Sequence, residues 1–333
     1  MRISYFDFLR GLAIILVVFI HCMGNCYTYP DVDFFVVVAR NMMNVAVPLF
    51  FAISGYFLAS KEMRNGGYAK FLKKQIPRVY IPVVFCSLVC FFMDSTKVVS
   101  IPALVKIASC SYGVYYFIAV IIQCYLFLWF LQNKLSKSLL AMLFVIGLFW
   151  WVAYVYYISL YLGKSLPLIV YAGNFIPWGF SFALGMFLAK NNSLVSISKI
   201  IWGIVFFGVV SFVESLFIME QSSSLSGLGQ KGSAFCLNVF LCLLAFHDKS
   251  QKFMDAFKET RIYLFFCSLG RYSFGIYLIH LFVLPFVEKV GSPFSGSLVK
   301  WIVDSLLLLL ICYMLLAICK RLFPKISRIL LGV

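Results

Sequence analysis

Asp7-Phe-Leu-Arg10-Gly-Leu-Ala-Ile-Ile-Leu-Val-Val-Phe-Ile-His21-Cys-Met23 places an apolar run between an ionisable pair and a histidine. On a helix, eleven residues at about 100° each bring Arg10 and His21 to one face, about 16 Å apart. Asp7 lies one turn earlier on that face. Lipid does not align ionisable groups for packing reasons. Each is expensive at membrane depth and marks a candidate functional site. The run opens like a secretory signal, with Arg2 and Arg10 ahead of an apolar core. No small-residue cleavage site follows the core, so a retained first helix is expected.

The rest of the chain extends this reading. Of its 333 residues, 63% are hydrophobic and 12% charged, about half the charge fraction of a soluble protein. No polar segment is long enough to fold alone, so residues 1–333 are expected to form a single transmembrane domain. The net charge is +16. In a soluble protein that balance would suggest nucleic acid. Here the basic residues fall in short loops between apolar runs, which is positive-inside loading, and no nucleic-acid partner is expected. The 11 cysteines lie mostly inside apolar runs and read as small hydrophobic filler. Their spacing with His fits no zinc site, and no metal is expected.

Apolar runs of about 20 residues occur near 9–27, 34–59, 77–94, 113–131, 138–158, 167–189, 199–219, 231–248, 262–286 and 297–320. The expected fold is therefore all-α, a polytopic bundle of about ten transmembrane helices. The third run is read as starting at Pro77. The eighth is the weakest, diluted by Gly232, Ser233 and Asn238. Loop charges alternate without a break. Lys61, Arg64, Lys70, Lys73, Lys74 and Arg78 load one loop, and Lys249, Lys252, Lys258 and Arg261 load another. The alternate loops are lightly loaded, holding Lys97 and Lys106, Lys164, Lys231, and Lys289 and Lys300. This pattern places both termini in the cytoplasm.

Five groups of residues carry chemistry. His21 can act as a general base at mid-membrane if a substrate reaches it. The competing reading is a buried His bonded to a neighbouring helix. Pro48-Leu-Phe-Phe-Ala-Ile-Ser54-Gly55-Tyr56 removes bulk for a ligand or for helix packing, and Ser54 lacks the surroundings of a nucleophile elbow. The basic segment 61–78 suits a phosphorylated co-substrate, lipid head groups or topology alone. Its Arg78 is expected at the entrance of the third span, where a guanidinium can meet a phosphate. Ser273, Tyr277 and His280 share one face of the ninth span, with His280 nearer the outer side. Arg40, Asn41 and Asn44 form an outer polar patch that Glu214 is placed to pair with. His247, beside Asp248 and Lys249, reads as an ordinary solvated residue.

With these residues in place, the chain resembles the membrane acyltransferase-3 family over nearly its whole length. That family's hallmark is an Arg followed after ten residues by a His in the first helix. Arg10 and His21 meet it within Phe6-Asp7-Phe-Leu-Arg10-Gly11-Leu-Ala13. Pro48 through Tyr56 is similar to its "Pro-x-Phe-Phe-x-x-Ser-Gly-Tyr". Ser273 through His280 is similar to its "Ser-Tyr-Gly-x-Tyr-Leu-x-His", with Phe274 for Tyr. Tyr116-Phe117-Ile118 with Gln123 and Tyr125 resembles its "Trp-Phe-Leu…Gln-x-Tyr", and Trp178 with Phe182-Ala-Leu-Gly185 resembles a mid-chain helix. In one departure, the family's Arg-x-x-Arg reads Gln75-Ile-Pro-Arg78. Lys73 or Lys74 would replace the first Arg as a point charge, not a bidentate clamp.

The resemblance implies an O-acyltransferase of the bacterial inner membrane. It would move an acyl group from cytoplasmic acetyl-CoA, or another acyl-CoA, to a sugar hydroxyl of a surface or lipid-linked polysaccharide. His21 would be general base or transient acyl carrier, and both stay open. Asp7 would orient Arg10. Arg10 and Arg78, with Lys73 and Lys74, would hold the CoA phosphates or steady the thioester oxyanion. Ser54, Tyr56, Tyr116, Ser273, Tyr277 and His280 would line the substrate path. Membrane lipids are partners by necessity, and homo-oligomerisation stays open. The alternative is a flippase of a lipid-linked sugar, which would favour broken helices in two matching halves; none is evident. A sensor or scaffold would leave the polar lines without use.

Overall fold

Lipid offers a backbone no hydrogen-bond partner, so long apolar runs close their hydrogen bonds internally as helices. The computed structural model describes residues 4–23, 34–61, 67–93, 98–191, 195–222, 228–290 and 298–333. Among them all regular structure is helical. In chain order the helices are α1 (Ser4–Cys22), α2 (Phe34–Met43), α3 (Ala46–Leu58), α4 (Gly67–Met93) and α5 (Ile101–Ala108). Next come α6 (Tyr116–Lys134), α7 (Lys137–Val152), α8 (Leu168–Tyr171), α9 (Gly179–Lys190) and α10 (Ile197–Gln221). The last five are α11 (Gly232–Ala245), α12 (Asp248–Asp255), α13 (Arg261–Val290), α14 (Leu298–Leu322) and α15 (Pro324–Leu330).

Eight described stretches are long and apolar enough to cross a membrane. They are α1, α2 with α3, α4, α6, α7 with the π-helical turns Ala153–Tyr161 that continue it, α10, α13 and α14. These follow eight of the ten expected runs in order. The sixth and eighth runs form shorter helices. α9 has 12 residues and α11 has 14. At about 1.5 Å per residue neither spans the roughly 30 Å hydrocarbon core alone.

Pro167, Gly173 and Pro177 break the sixth run. Its irregular backbone survives because neighbours satisfy it. Gln123 Nε2 donates to Gly173 O at 2.9 Å, and its Oε1 accepts from Phe175 N at 2.9 Å. Trp178 Nε1 donates to Ala172 O at 2.7 Å.

The third run also departs from expectation. Pro77 does not begin the helix; α4 starts at Gly67 and carries Pro77 and Pro82 inside it. The basic segment folds because one of its faces packs. Phe71 is buried, and the Tyr68 hydroxyl donates to Leu126 O of α6 at 2.6 Å. Arg78 therefore lies within a helix, not at its entrance.

Two close crossings set the frame. Where α1 meets α13, a Cβ on Gly11 would lie 2.0 Å from Phe266 O, and one on Gly270 would lie 1.8 Å from Asp7 O. Where α3 meets α9, a Cβ on Gly55 would lie 2.0 Å from Phe182 O, and one on Gly185 would lie 1.8 Å from Ala52 O. Glycine lets the backbones touch, as small residues do between membrane helices. Each crossing anchors a packed cluster. Phe51, Phe182 and Trp178 centre one cluster, and Ile14, Ile276 and Leu308 the other. Phe50 and Phe117 pack against both, so they mark the seam.

Candidate active site

That seam holds a cavity of about 170 Å³. α1 contributes Arg10 and Val17, α3 Phe50 and Ser54, α4 Val79, α6 Phe117 and Tyr125, and α13 Ser273 and Tyr277. Arg10, Ser54, Ser273 and Tyr277, four of the residues singled out in the sequence, thus share one wall.

Arg10 is held from two sides. Its Nη1 donates to Asp7 Oδ1 at 3.1 Å, and its guanidinium lies 5.0 Å from the centre of the Phe57 ring. The Asp7 side chain is 4% exposed and that of Arg10 29% exposed, so the carboxylate is interior and the cation reaches the cavity. The Ser54 hydroxyl donates to Phe50 O at 2.8 Å, and the Ser273 hydroxyl to Gly270 O at 2.9 Å. Their protons are used by their own helices, so what they offer the cavity is oxygen lone pairs. The Tyr277 hydroxyl donates to Val114 O at 2.7 Å.

His21 is half-buried near the far end of α1. Its ring centre lies 5.1 Å from that of His280, which is fully buried. Tyr277, in the cavity wall, lies 5.9 Å from the His280 ring. His280 thus stands behind the wall, against His21, and is absent from the cavity lining itself.

The basic residues Lys73, Lys74 and Arg78 lie on α4, the helix that lends Val79 to the cavity. Lys73, Lys74 and Arg78 are exposed. Arg78 precedes the lining residue Val79 and is within electrostatic reach of Tyr125. Lys61 stacks 4.5 Å above the Phe71 ring. Burial, and then the charges of Lys74 and Arg78, hold its pKa below the ordinary lysine range. Glu62, Arg64 and Asn65 lie outside the described residues.

Two expected lining residues are elsewhere. Tyr56 packs among Phe6, Phe57 and Phe246, its ring 4.5 Å from that of Phe6. Tyr116 stacks on Trp178 at 6.4 Å. Gly55, read as serving a ligand or packing, serves packing. His247 is not solvated: it is 7% exposed, and its Nδ1 accepts Lys249 N at 3.1 Å to cap α12.

The polar patch expected on the outer side is a buried network. Lys231, read as an outer-loop charge, is 1% exposed. Its Nζ donates to Asn41 Oδ1 at 2.7 Å and Ser215 Oγ at 2.9 Å. Arg40 donates to Asn44 Oδ1. Glu214 accepts from the Tyr156 hydroxyl at 2.8 Å and from Ser233, and lies within electrostatic reach of Lys231. The patch therefore ties α2, α10 and α11 together.

Residues 3–319 match the profile of a family described as an acyltransferase domain, the acyltransferase-3 family. The chain belongs to the acyltransferase-3 family. With its long apolar helices, this acyltransferase-3 chain is a multi-pass membrane protein. It is also 35% identical over 81 residues to a serine/alanine racemase of Enterococcus gallinarum. That match covers 22% of this chain and 11% of the racemase. No solved structure matches.

Two further residues, Phe57 and Tyr115, shape the acyltransferase-3 site and were not evident in the sequence, and Tyr125, quoted there only as part of a motif, lines the cavity. Phe57 flanks Arg10. Tyr125 lines the cavity beside Arg78. The Tyr115 hydroxyl donates to Leu278 O at 2.6 Å, tying α6 to the turn of α13 that carries His280. A lone aromatic in an apolar run gives no signal of such partners.

Proposed function

We propose that this protein is an integral-membrane O-acyltransferase of the bacterial inner membrane. It takes an acyl group, acetyl in the simplest case, from cytoplasmic acyl-CoA and places it on a sugar hydroxyl of a surface or lipid-linked polysaccharide. The observation that carries the reading is one cavity lined by Arg10, Ser54, Ser273 and Tyr277, with the His280 ring behind Tyr277 and the His21 ring against His280, neither histidine lining the cavity itself. The loop loading argues for ten crossings with both termini in the cytoplasm, the two short helices α9 and α11 being completed by irregular backbone.

The chemistry follows from the placement. CoA carries phosphates and stays in water, where Arg78, Lys73 and Lys74 present positive charge beside the cavity. The acyl group alone needs to enter. Arg10, fixed by Asp7 and Phe57 and about 16 Å along α1 from His21, offers a guanidinium to the phosphates of CoA. His21 then serves one of two routes. As general base it takes the sugar hydroxyl proton while that oxygen attacks the carbonyl and the C–S bond breaks. As nucleophile it receives the acyl group first and passes it to the hydroxyl in a second step. Ser54 and Ser273 present acceptors that can orient a hydroxyl.

The test uses purified protein in nanodiscs with acetyl-labelled CoA. Free CoA thiol should appear faster when a glycan fraction from the host envelope is added, and base-labile label should appear on the glycan. A glycan moved across the bilayer with no loss of label from CoA would contradict the reading and favour a flippase.

A further inference from the structure

His280 is an enclosed ionisable side chain behind the cavity wall, and neither route gives it a task. It is fully buried, and its Nδ1 lies 2.7 Å from Tyr277 O. A carbonyl oxygen only accepts, so Nδ1 carries the proton. In a neutral imidazole Nε2 is then a bare lone pair. That atom is buried and has no hydrogen-bond partner among the described residues. A buried acceptor without a donor is costly, and each one in a folded protein asks for an explanation. The ring next to it is His21, 5.1 Å away centre to centre and inclined by 41°. At that separation a ring N–H of His21 is near enough to be aimed at that lone pair.

We propose that His280 is a positioning residue for His21. Its Nε2 accepts one N–H of His21, which fixes the tautomer of His21 and leaves the other nitrogen as a free lone pair for the reaction. The catalytic consequence rests on the acyltransferase reading; the hydrogen bond does not.

The seat of His280 is rigid enough for this work. Hydrogen bonds from Tyr277 to Val114 O and from Tyr115 to Leu278 O bind its turn of α13 to the start of α6 from both directions. The Gly11–Gly270 contact fixes α1 against the same helix. The hydroxyl proton takes a different path on each route. On the direct route the hydroxyl proton moves to the free nitrogen of His21 as the O–C bond forms. The departing thiolate then takes that proton. On the covalent route the free nitrogen attacks the thioester carbonyl and the C–S bond breaks; the sugar oxygen then displaces the imidazole, and the released thiolate takes up the hydroxyl proton. In each case His21 passes through a cationic state, whose remaining N–H gives His280 a stronger, charge-assisted bond.

The chain has three histidines, His21, His247 and His280, so nitrogen signals from ¹⁵N-histidine protein in nanodiscs can be assigned by single substitutions. The wild type should show His280 protonated at Nδ1 and bare at Nε2, with His21 in one tautomer. In His280→Ala the His21 signals should split between both tautomers. Turnover should fall roughly ten- to a hundred-fold, the usual scale for losing a hydrogen bond to a charged group, with KM for acyl-CoA nearly unchanged. His280→Gln, which restores an acceptor oxygen, should recover the single tautomer and most of the turnover. His280→Met fills a similar volume without an acceptor oxygen and should recover neither, whereas a space-filling role would let it recover as well as His280→Gln. The proposal is overturned if His21 keeps one tautomer in His280→Ala, or if its tautomer loosens with no loss of turnover. Were the wild type to transfer no acyl group, the enzymatic reading would fail, and the tautomer of His21 would still decide the hydrogen bond.

Discussion

Gly270 approaches Asp7 so closely that a Cβ on the glycine would lie 1.8 Å from the Asp7 carbonyl oxygen. One contact thereby couples the ionic end of α1 to the helix that carries His280. Gly270→Ala would force backbone against backbone, with no flexible side chain to give way. It should cost about 1–3 kcal/mol or more and lower the melting temperature in detergent. Gly208→Ala is the control. Nothing stands within 4 Å of its added Cβ, so it should be neutral or slightly stabilising.

Arg10→Lys keeps the charge and loses the planar stack on Phe57. A cation–π contact contributes about 0.5–2 kcal/mol, so acyl transfer should fall roughly two- to thirty-fold. Steady-state kinetics with acetyl-CoA would show it. Unchanged kinetics would mean that Arg10 acts as a point charge and that Phe57 is packing alone.

Arg78→Ala should weaken CoA binding by about 1.5–3 kcal/mol, roughly ten- to a hundred-fold. Lys73 and Lys74 are flexible point charges and should each matter less. Gln75→Arg should leave binding equal or tighten it. Calorimetric titration of the single variants with CoA decides the order. If Arg78→Ala bound like wild type while a Lys variant did not, the phosphate contact would lie elsewhere.

A cysteine placed at Asn65 should be labelled by an impermeant reagent from the cytoplasmic side only. The loops at 28–33 and 221–230 should label from outside. The ten described native cysteines are buried or half-buried, so background should be low. Labelling at residue 65 in intact cells would overturn the assigned topology.

Much of the frame was legible because lipid makes strong demands on sequence. Eight of ten apolar runs became long helices, since a run of that length has no other way to close its backbone hydrogen bonds. The Arg10–His21 line was legible from helical periodicity, because α1 is unbroken between them. Interhelical partners were not legible. Gly11 and Gly270 are visible as glycines, but their meeting depends on two helices crossing. Lys231 carries the mark of a loop charge, and only the Asn41 and Ser215 oxygens that receive it explain its burial. The start of α4 was misread because Pro77 is a strong local break, which packing of Phe71 and Tyr68 overrides. His280 was read as substrate-facing, since periodicity places it on the Ser273 and Tyr277 face but cannot show the His21 ring beside it.

The central claim is that His21 carries the acyl transfer, and the direct test is turnover of His21→Ala in nanodiscs with acetyl-labelled CoA and the host glycan fraction. The account predicts that the variant inserts and binds CoA as the wild type does, yet places less than a tenth as much label on glycan. Retention of more than about a tenth would limit the loss to under ~1.4 kcal/mol, and His21 would then not be the residue on which the reaction depends.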